Sequence, residues 1–285
     1  MYKKLALLLA VMAASSVCAA TAQAASANRT FVSNSGVSGN TTQGCSAASP
    51  CDTFTNALSV TNSGGEINCL NAGDFGTVSI AVSVTINCEG PSNGGITAST
   101  PGGSAIVINA AVDVTLIGLD INSTASGGVG INIAGSPNVV VRNCKIHNFS
   151  GNGGSGIQLQ AGTLVVDNSL IVQNNTGIFE FDTSGGLNMS VRNSDISYNS
   201  NAGIRITVDG GSHAGATIEQ TTLAFNGDGV SLTGGVAVIG GSTIVNNTIG
   251  VANSGGTVFS FKNNQIGGNG TDGTPLTAYP GGPLN

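Results

Sequence analysis

Val141-Arg142-Asn143-Cys144-Lys145-Ile146 returns fifty residues later as Val191-Arg192-Asn193-Ser194-Asp195-Ile196, and the same frame recurs between and beyond the two copies. Aligned on the last residue of each triplet, the series reads Leu119-Asp120-Ile121, Cys144-Lys145-Ile146, Ser169-Leu170-Ile171, Ser194-Asp195-Ile196, Thr221-Thr222-Leu223, Ser242-Thr243-Ile244 and Asn264-Gln265-Ile266. The anchors are 25, 25, 25, 27, 21 and 22 residues apart, a period that belongs to stacked repeats. Gly130-Ile131-Asn132-Ile133, Gly156-Ile157-Gln158-Leu159, Gly203-Ile204-Arg205-Ile206 and Gly229-Val230-Ser231-Leu232 open successive units with strict alternation, which predicts short strands with one buried face.

Three residues before the anchors stand Gly118, Asn143, Asn168, Asn193, Gln220, Gly241 and Asn263. Gly and Asn tolerate a left-handed backbone, so this column predicts a tight turn between two strands. Three residues after the anchors come Asn174, Asn199, Asn226, Asn247 and Asn269, a second column whose amides would hydrogen-bond from one coil to the next. Each unit is therefore read as a coil of short strands and turns, stacked at about 4.8 Å on its neighbour around an interior of Ile, Val and Leu. On the residues just quoted, from about 60 to 270, the chain resembles the right-handed parallel β-helix, or pectate-lyase-like, architecture. The fold class expected is all-β, a single-stranded right-handed parallel β-helix with an N-terminal capping segment. A left-handed hexapeptide helix would need an apolar residue every six, and a leucine-rich repeat its own Leu frame; neither pattern is present.

Composition agrees. Of 285 residues 44 are Gly, 40% are hydrophobic and 8% are charged, which excludes a disordered chain and disfavours helix. Residues 1–24 read as a secretory signal: Lys3 and Lys4, the apolar run Leu5 to Ala14, then Ala22-Gln23-Ala24. That run is too short for a membrane span. Without it the net charge moves from −6 to −8, and no basic stripe exists to meet phosphates, so a nucleic-acid partner is not expected. The expected organisation is signal 1–24, cap 25–60, β-helix 61–270 and an irregular tail 271–285, secreted and monomeric. Within the cap, Asp52 is the expected N-cap of a short helix burying Phe54, Ala57 and Leu58.

Five cysteines remain after the signal. Cys45 and Cys51 flank a short loop and are expected to pair. Ile67-Asn68-Cys69 and Ile86-Asn87-Cys88 match as triplets, which would set Cys69 and Cys88 in register on neighbouring strands, within disulfide reach. Cys144 is left over.

Chemistry is harder to place. The position four before the anchor holds Arg142, Asp167, Arg192, Glu219, Gly240 and Lys262, an alternation of sign over four coils. It reads either as a cross-coil salt-bridge ladder or as an acidic residue beside an Arg that activates a sugar carboxylate. Glu180 falls where Leu159, Ile206 and Leu232 assign the core. Either Phe179 and Phe181 turn inward and Glu180 faces out, near Asp182 and Arg205, or Glu180 is buried with a raised pKa; a local register shift is the plain alternative. His147 and His213 look like loop residues, and Tyr198 and Phe225 share a register as an exposed stack. The resemblance implies a surface that touches polysaccharide or cell-surface glycan. The expected role is a scaffold or surface-interaction protein without a recognisable catalytic set or cofactor. The alternative is a polysaccharide lyase or glycosidase using Arg142, Asp167, Arg192 and Glu219, or Glu180, Asp182 and Arg205, with Ca²⁺ as the ion a lyase would need.

Overall fold

A computed structural model describes residues 26–90, 94–182, 186–208 and 214–280. The signal 1–24 and His213 lie outside the described residues. The chain forms three parallel sheets, each strand pairing with its equivalent one coil away. In the central coils the first sheet is built from Asn138–Arg142, Thr163–Asp167, Leu187–Arg192 and Ala214–Glu219, and the second from Lys145–His147, Leu170–Val172, Asp195–Ser197 and Thr222–Ala224. The third contains Ser155–Leu159, Thr176–Asp182, Ala202–Val208 and Asp228–Leu232. About eight turns stack in this way into a right-handed parallel β-helix.

The register is the one the anchors announce: Ile146 pairs with Ile171, Ile171 with Ile196 and Ile196 with Leu223. These residues are fully buried, as are Val141, Val166 and Val191 from the first sheet and Ile157, Ile178 and Ile204 from the third. At about 1.5–3 kcal/mol for each fully buried aliphatic side chain, these columns are the main source of stability.

Two corners turn the chain. At the first, Asn143, Asn168, Asn193 and Gln220 have φ of 54°, 46°, 52° and 47°, the left-handed conformation expected of that column. At the second, the left-handed residue is two after the anchor, and the Asn that follows it turns inward. Asn199 Oδ1 accepts from the backbone N–H of Asn174 at 3.0 Å, and its amide donates to Asn226 Oδ1 at 3.0 Å and to the Ile171 carbonyl at 3.2 Å. Asn226 and Asn247 repeat the pattern, and at the last coil Asn269 donates to Asp272. The glycine that opens the next strand makes room for this ladder. A Cβ on Gly177 would stand 2.5 Å from the Gly203 carbonyl oxygen and 3.1 Å from the Asn199 amide.

Both expected disulfides form, Cys45–Cys51 and Cys69–Cys88, the second across paired strands in which Ile67 faces Ile86. Cys144 stays a free, buried thiol.

Three expectations change at the ends. The helix Phe54–Leu58 is capped by Thr53, whose hydroxyl accepts from the Asn56 N–H, because Asp52 is occupied with the Asn56 side chain at 2.7 Å. Ala27–Val32, assigned to the cap, pairs with Thr61–Cys69 as the outermost strand of the first sheet. The tail does not become irregular at Thr271: Thr271–Gly273 and Thr277–Ala278 continue the third and first sheets, pairing with the coil before them.

Candidate functional site

Four surfaces carry the polar and aromatic side chains that the sequence singles out. The first is the corner between the first and second sheets, where a groove of about 570 Å³ runs along the left-handed turns. Arg142, Asp167, Arg192 and Glu219 do stand in line at the ends of paired strands. One ion pair forms among them: Arg192 Nε and Asp167 Oδ1 are 3.2 Å apart, with Nη2 3.4 Å from Oδ2. Asn193 donates to the same carboxylate at 2.9 Å, and this bond, ahead of the guanidinium, holds Asp167 below the usual carboxylate pKa. The full ladder is therefore a single bidentate pair flanked by Arg142 and Glu219. Lys262 leaves the column, because the last coil has one more residue in the turn. The left-handed position falls on Lys262, and Phe261 lies beside Gly240. Along the floor Asn168 donates to Asn143 at 2.7 Å and Asn143 to Glu89, so the exposed amides bind each other.

The second surface is the outer face of the second sheet. His147 is the end of a strand, not a loop residue, and its Nε2 is 2.7 Å from Asp120 Oδ1 on the preceding coil. The repeat does not announce this pair, because the two residues sit on opposite sides of their anchors. The diagonal between adjacent coils, the i to j±2 neighbour of a sheet, was the signal available.

The third surface is the outer face of the third sheet. In register along it stand Asn132, Gln158, Phe179, Arg205 and Ser231. The Arg205 guanidinium lies over the Phe179 ring, 5.3 Å from its centroid, and Phe181 packs beside Phe179 at 5.8 Å. A cleft of about 430 Å³ opens at this point, edged by Asn152, Asn175, Ser200 and Asn201. Arg205 forms no salt bridge among the described residues. The cation is thus held against the ring by its attraction to the π face.

Behind this cleft lies the largest departure from expectation. No register shift occurs: Glu180 pairs with Leu159 on one side and Ile206 on the other, and it is fully buried. Neither carboxylate oxygen has a hydrogen-bond partner. Desolvation first, and the field of Asp182 second, push its pKa up to about 8. Asp182 is also buried, two residues along on the same inner face. Strand alternation thus separates the group that the enzyme alternative needs together, with Glu180 and Asp182 inside and Arg205 outside.

At the second corner Tyr198 and Phe225 form the expected exposed stack, with centroids 4.8 Å apart and planes within 6°. Among the described residues no three of His, Cys, Asp and Glu come close enough to share a metal ion, and no helix is long and apolar enough to cross a membrane.

Neither a family model nor a curated protein matches the chain. A pectate lyase shares its fold. The crystal structure of pectate lyase Pel9A aligns with a TM-score of 0.65 over 89% of this chain and 75% of that one, at 16% identity. Likeness at that identity is one of architecture. The chemistry has to be argued from the side chains, because a shared scaffold hosts many sites.

Proposed function

We propose that this chain is an exported, monomeric β-helix that holds an acidic polysaccharide against the outer face of its third sheet without cutting it. One observation carries the reading: Arg205 lies over Phe179 in an open cleft and forms no salt bridge among the described residues. A guanidinium held over a ring, with no salt bridge among the described residues, has N–H donors to offer a sugar carboxylate or sulfate. The neighbouring amides suit hydroxyl groups, and a fold that repeats side chains at each coil suits a polymer that repeats its own. The net charge of −8 opposes an acidic chain at long range. At physiological salt that repulsion is screened within about 8 Å, while the contact at Arg205 is not. Export is supported by the leader at 1–24 and by two disulfides, which belong to an oxidising compartment.

The test is retention on immobilised polygalacturonate, alginate and dextran sulfate, with dextran and xylan as neutral controls. Acidic chains are expected to bind, and Arg205→Ala to weaken binding about tenfold or more, the scale of one charge-assisted contact. Equal binding by Arg205→Ala, or preference for the neutral chains, would overturn the assignment. Reducing ends or unsaturated products, with or without Ca²⁺, would replace binding by a lyase or glycosidase activity. Arg192→Ala would then show whether the Arg142, Asp167, Arg192 and Glu219 column performs it.

A further inference from the structure

The strand Thr176–Asp182 carries an inverted pattern: two carboxylic acids point into the core at Glu180 and Asp182, and two phenylalanines point out at Phe179 and Phe181. Because side chains alternate with period two, a one-residue slip of this segment would exchange the whole set, burying both rings and releasing both acids. Two packings of the same four residues therefore compete. The one observed needs a proton on Glu180, whose oxygens find no donor. The charged groups on the elements around it offer no relief. The preceding coil presents Leu159, and the following one Ile206, while its Arg205 faces outward onto Phe179. In the first sheet Asp167 and Arg192 pair with each other at the surface, and in the second Asp195 is exposed. Asp182 is the one neighbour whose charge reaches Glu180, and its sign is unfavourable.

We infer that Phe179–Asp182 is a proton-operated switch for the third-sheet cleft: with Glu180 protonated the rings face outward and support Arg205, and on its ionisation the segment turns over and the cleft is lost. This inference rests on the cleft being the glycan site, and its test separates the two claims.

The protein contains no Trp, so Phe181→Trp introduces a single reporter in the strand. Its emission is expected to move to shorter wavelength as pH rises from the ordinary carboxyl range toward about 8, as the indole leaves the surface. The transition should vanish when Glu180→Gln is added. Glu180→Leu serves as a second background if the amide disturbs folding. Binding of dextran sulfate to the natural chain should fall over the same pH interval, by at most about tenfold per pH unit, and level off above about 8, where Glu180 is ionised in both packings. A flat emission profile, or a transition that persists in both Glu180 variants, overturns the switch even if dextran sulfate binds at pH 6. A Glu180-dependent transition in a protein that binds no polysaccharide at any pH upholds the strand exchange and defeats the glycan assignment instead.

Discussion

The two corners, which recur in every coil, and the segment Phe179–Asp182, which occurs in one, treat polar groups in opposite ways. At the corners each buried amide has a defined partner: Asn174 with Asn199, Asn199 with Asn226, Asn226 with Asn247. On the third sheet the Glu180 carboxyl is held in the core without a hydrogen-bond partner, while Arg205 on the next strand stands outside with no salt bridge among the described residues. The corners are what repetition alone produces, because any residue that helps one coil helps the next. The strand breaks the repeat at a cost in stability, and local rule-breaking of that kind belongs where something other than stability is being served.

Removing the inversion should have the largest effect. Glu180→Leu restores the column of Leu159, Ile206 and Leu232 and is expected to stabilise the fold by about 4 kcal/mol at pH 8, the scale set by the raised carboxyl pKa. The sign follows from linkage. A carboxyl ionised above 4.5 when unfolded but protonated up to about 8 when folded loses stability progressively across that interval. The advantage of Glu180→Leu should therefore grow from pH 5 to pH 8 and stay constant above, as followed by urea unfolding at several pH values. A pH-independent difference would mean that the carboxyl is hydrated in the native state.

The converse change attacks the corner. Asn199→Ala strips the acceptor from the Asn174 N–H and the donor from the Ile171 carbonyl, both in the interior. With buried orphans costing about 1–3 kcal/mol each, a loss of about 3 kcal/mol is expected from the same unfolding measurement. Asn175→Ala, one coil earlier and on the surface, should lose little, since its bond to Ser200 is exposed.

The contrast between regions also explains what could be read from the chain. Columns that obey the repeat are visible because each recurs in register: the anchor isoleucines, the left-handed Asn143, Asn168 and Asn193, the inward Asn ladder and the two matched Ile-Asn-Cys triplets. A feature that occurs once has no such support. Glu180 was identified as anomalous, but its direction could not be settled. The alternation that buries it and the chemistry that should expose it point opposite ways, and only the pairing with Leu159 and Ile206 decides. Asp120 and His147 belong to different columns, so no single register joins them. The salt-bridge column was legible as alignment and not as pairing, since register fixes where Cα atoms stand and not where long side chains reach.

The Asp167–Arg192 pair should respond much less than either interior site. It lies at the surface, so Arg192→Ala is expected to cost under about 1 kcal/mol, and less at high salt. The carboxyl itself gives the finer reading. Asn193 donates the hydrogen bond that most strongly holds the Asp167 pKa down, and Arg192 adds a hydrogen bond and its charge, so Asn193→Ala and Arg192→Ala should each raise it toward the ordinary carboxylate range, as followed by NMR titration. Whatever stability the pair adds is present above the unfolded pKa of Asp and lost as pH falls through the lowered native one. Acid would thus weaken this corner while protecting the strand at Glu180. No rise in Asn193→Ala would show that the guanidinium alone, without the turn amide, anchors the carboxylate.

The smallest effect is expected at Cys144. Its thiol occupies the place held by Ser169, Ser194 and Ser242 on later coils, within 3.3 Å of the Arg142 carbonyl, as the Ser169 hydroxyl is 2.9 Å from that of Asp167. Burial raises its pKa to about 11, so it is a poor thiolate and has no disulfide partner. Cys144→Ser should therefore fold with stability within about 0.5 kcal/mol of the natural chain, the hydroxyl replacing a weak sulfur contact by the bond its column already makes. It also discriminates between the two kinds of region. If Cys144 belongs to the repeating corner, serine is interchangeable with it; a large loss would place it with Glu180 among the positions where the repeat is broken for a purpose.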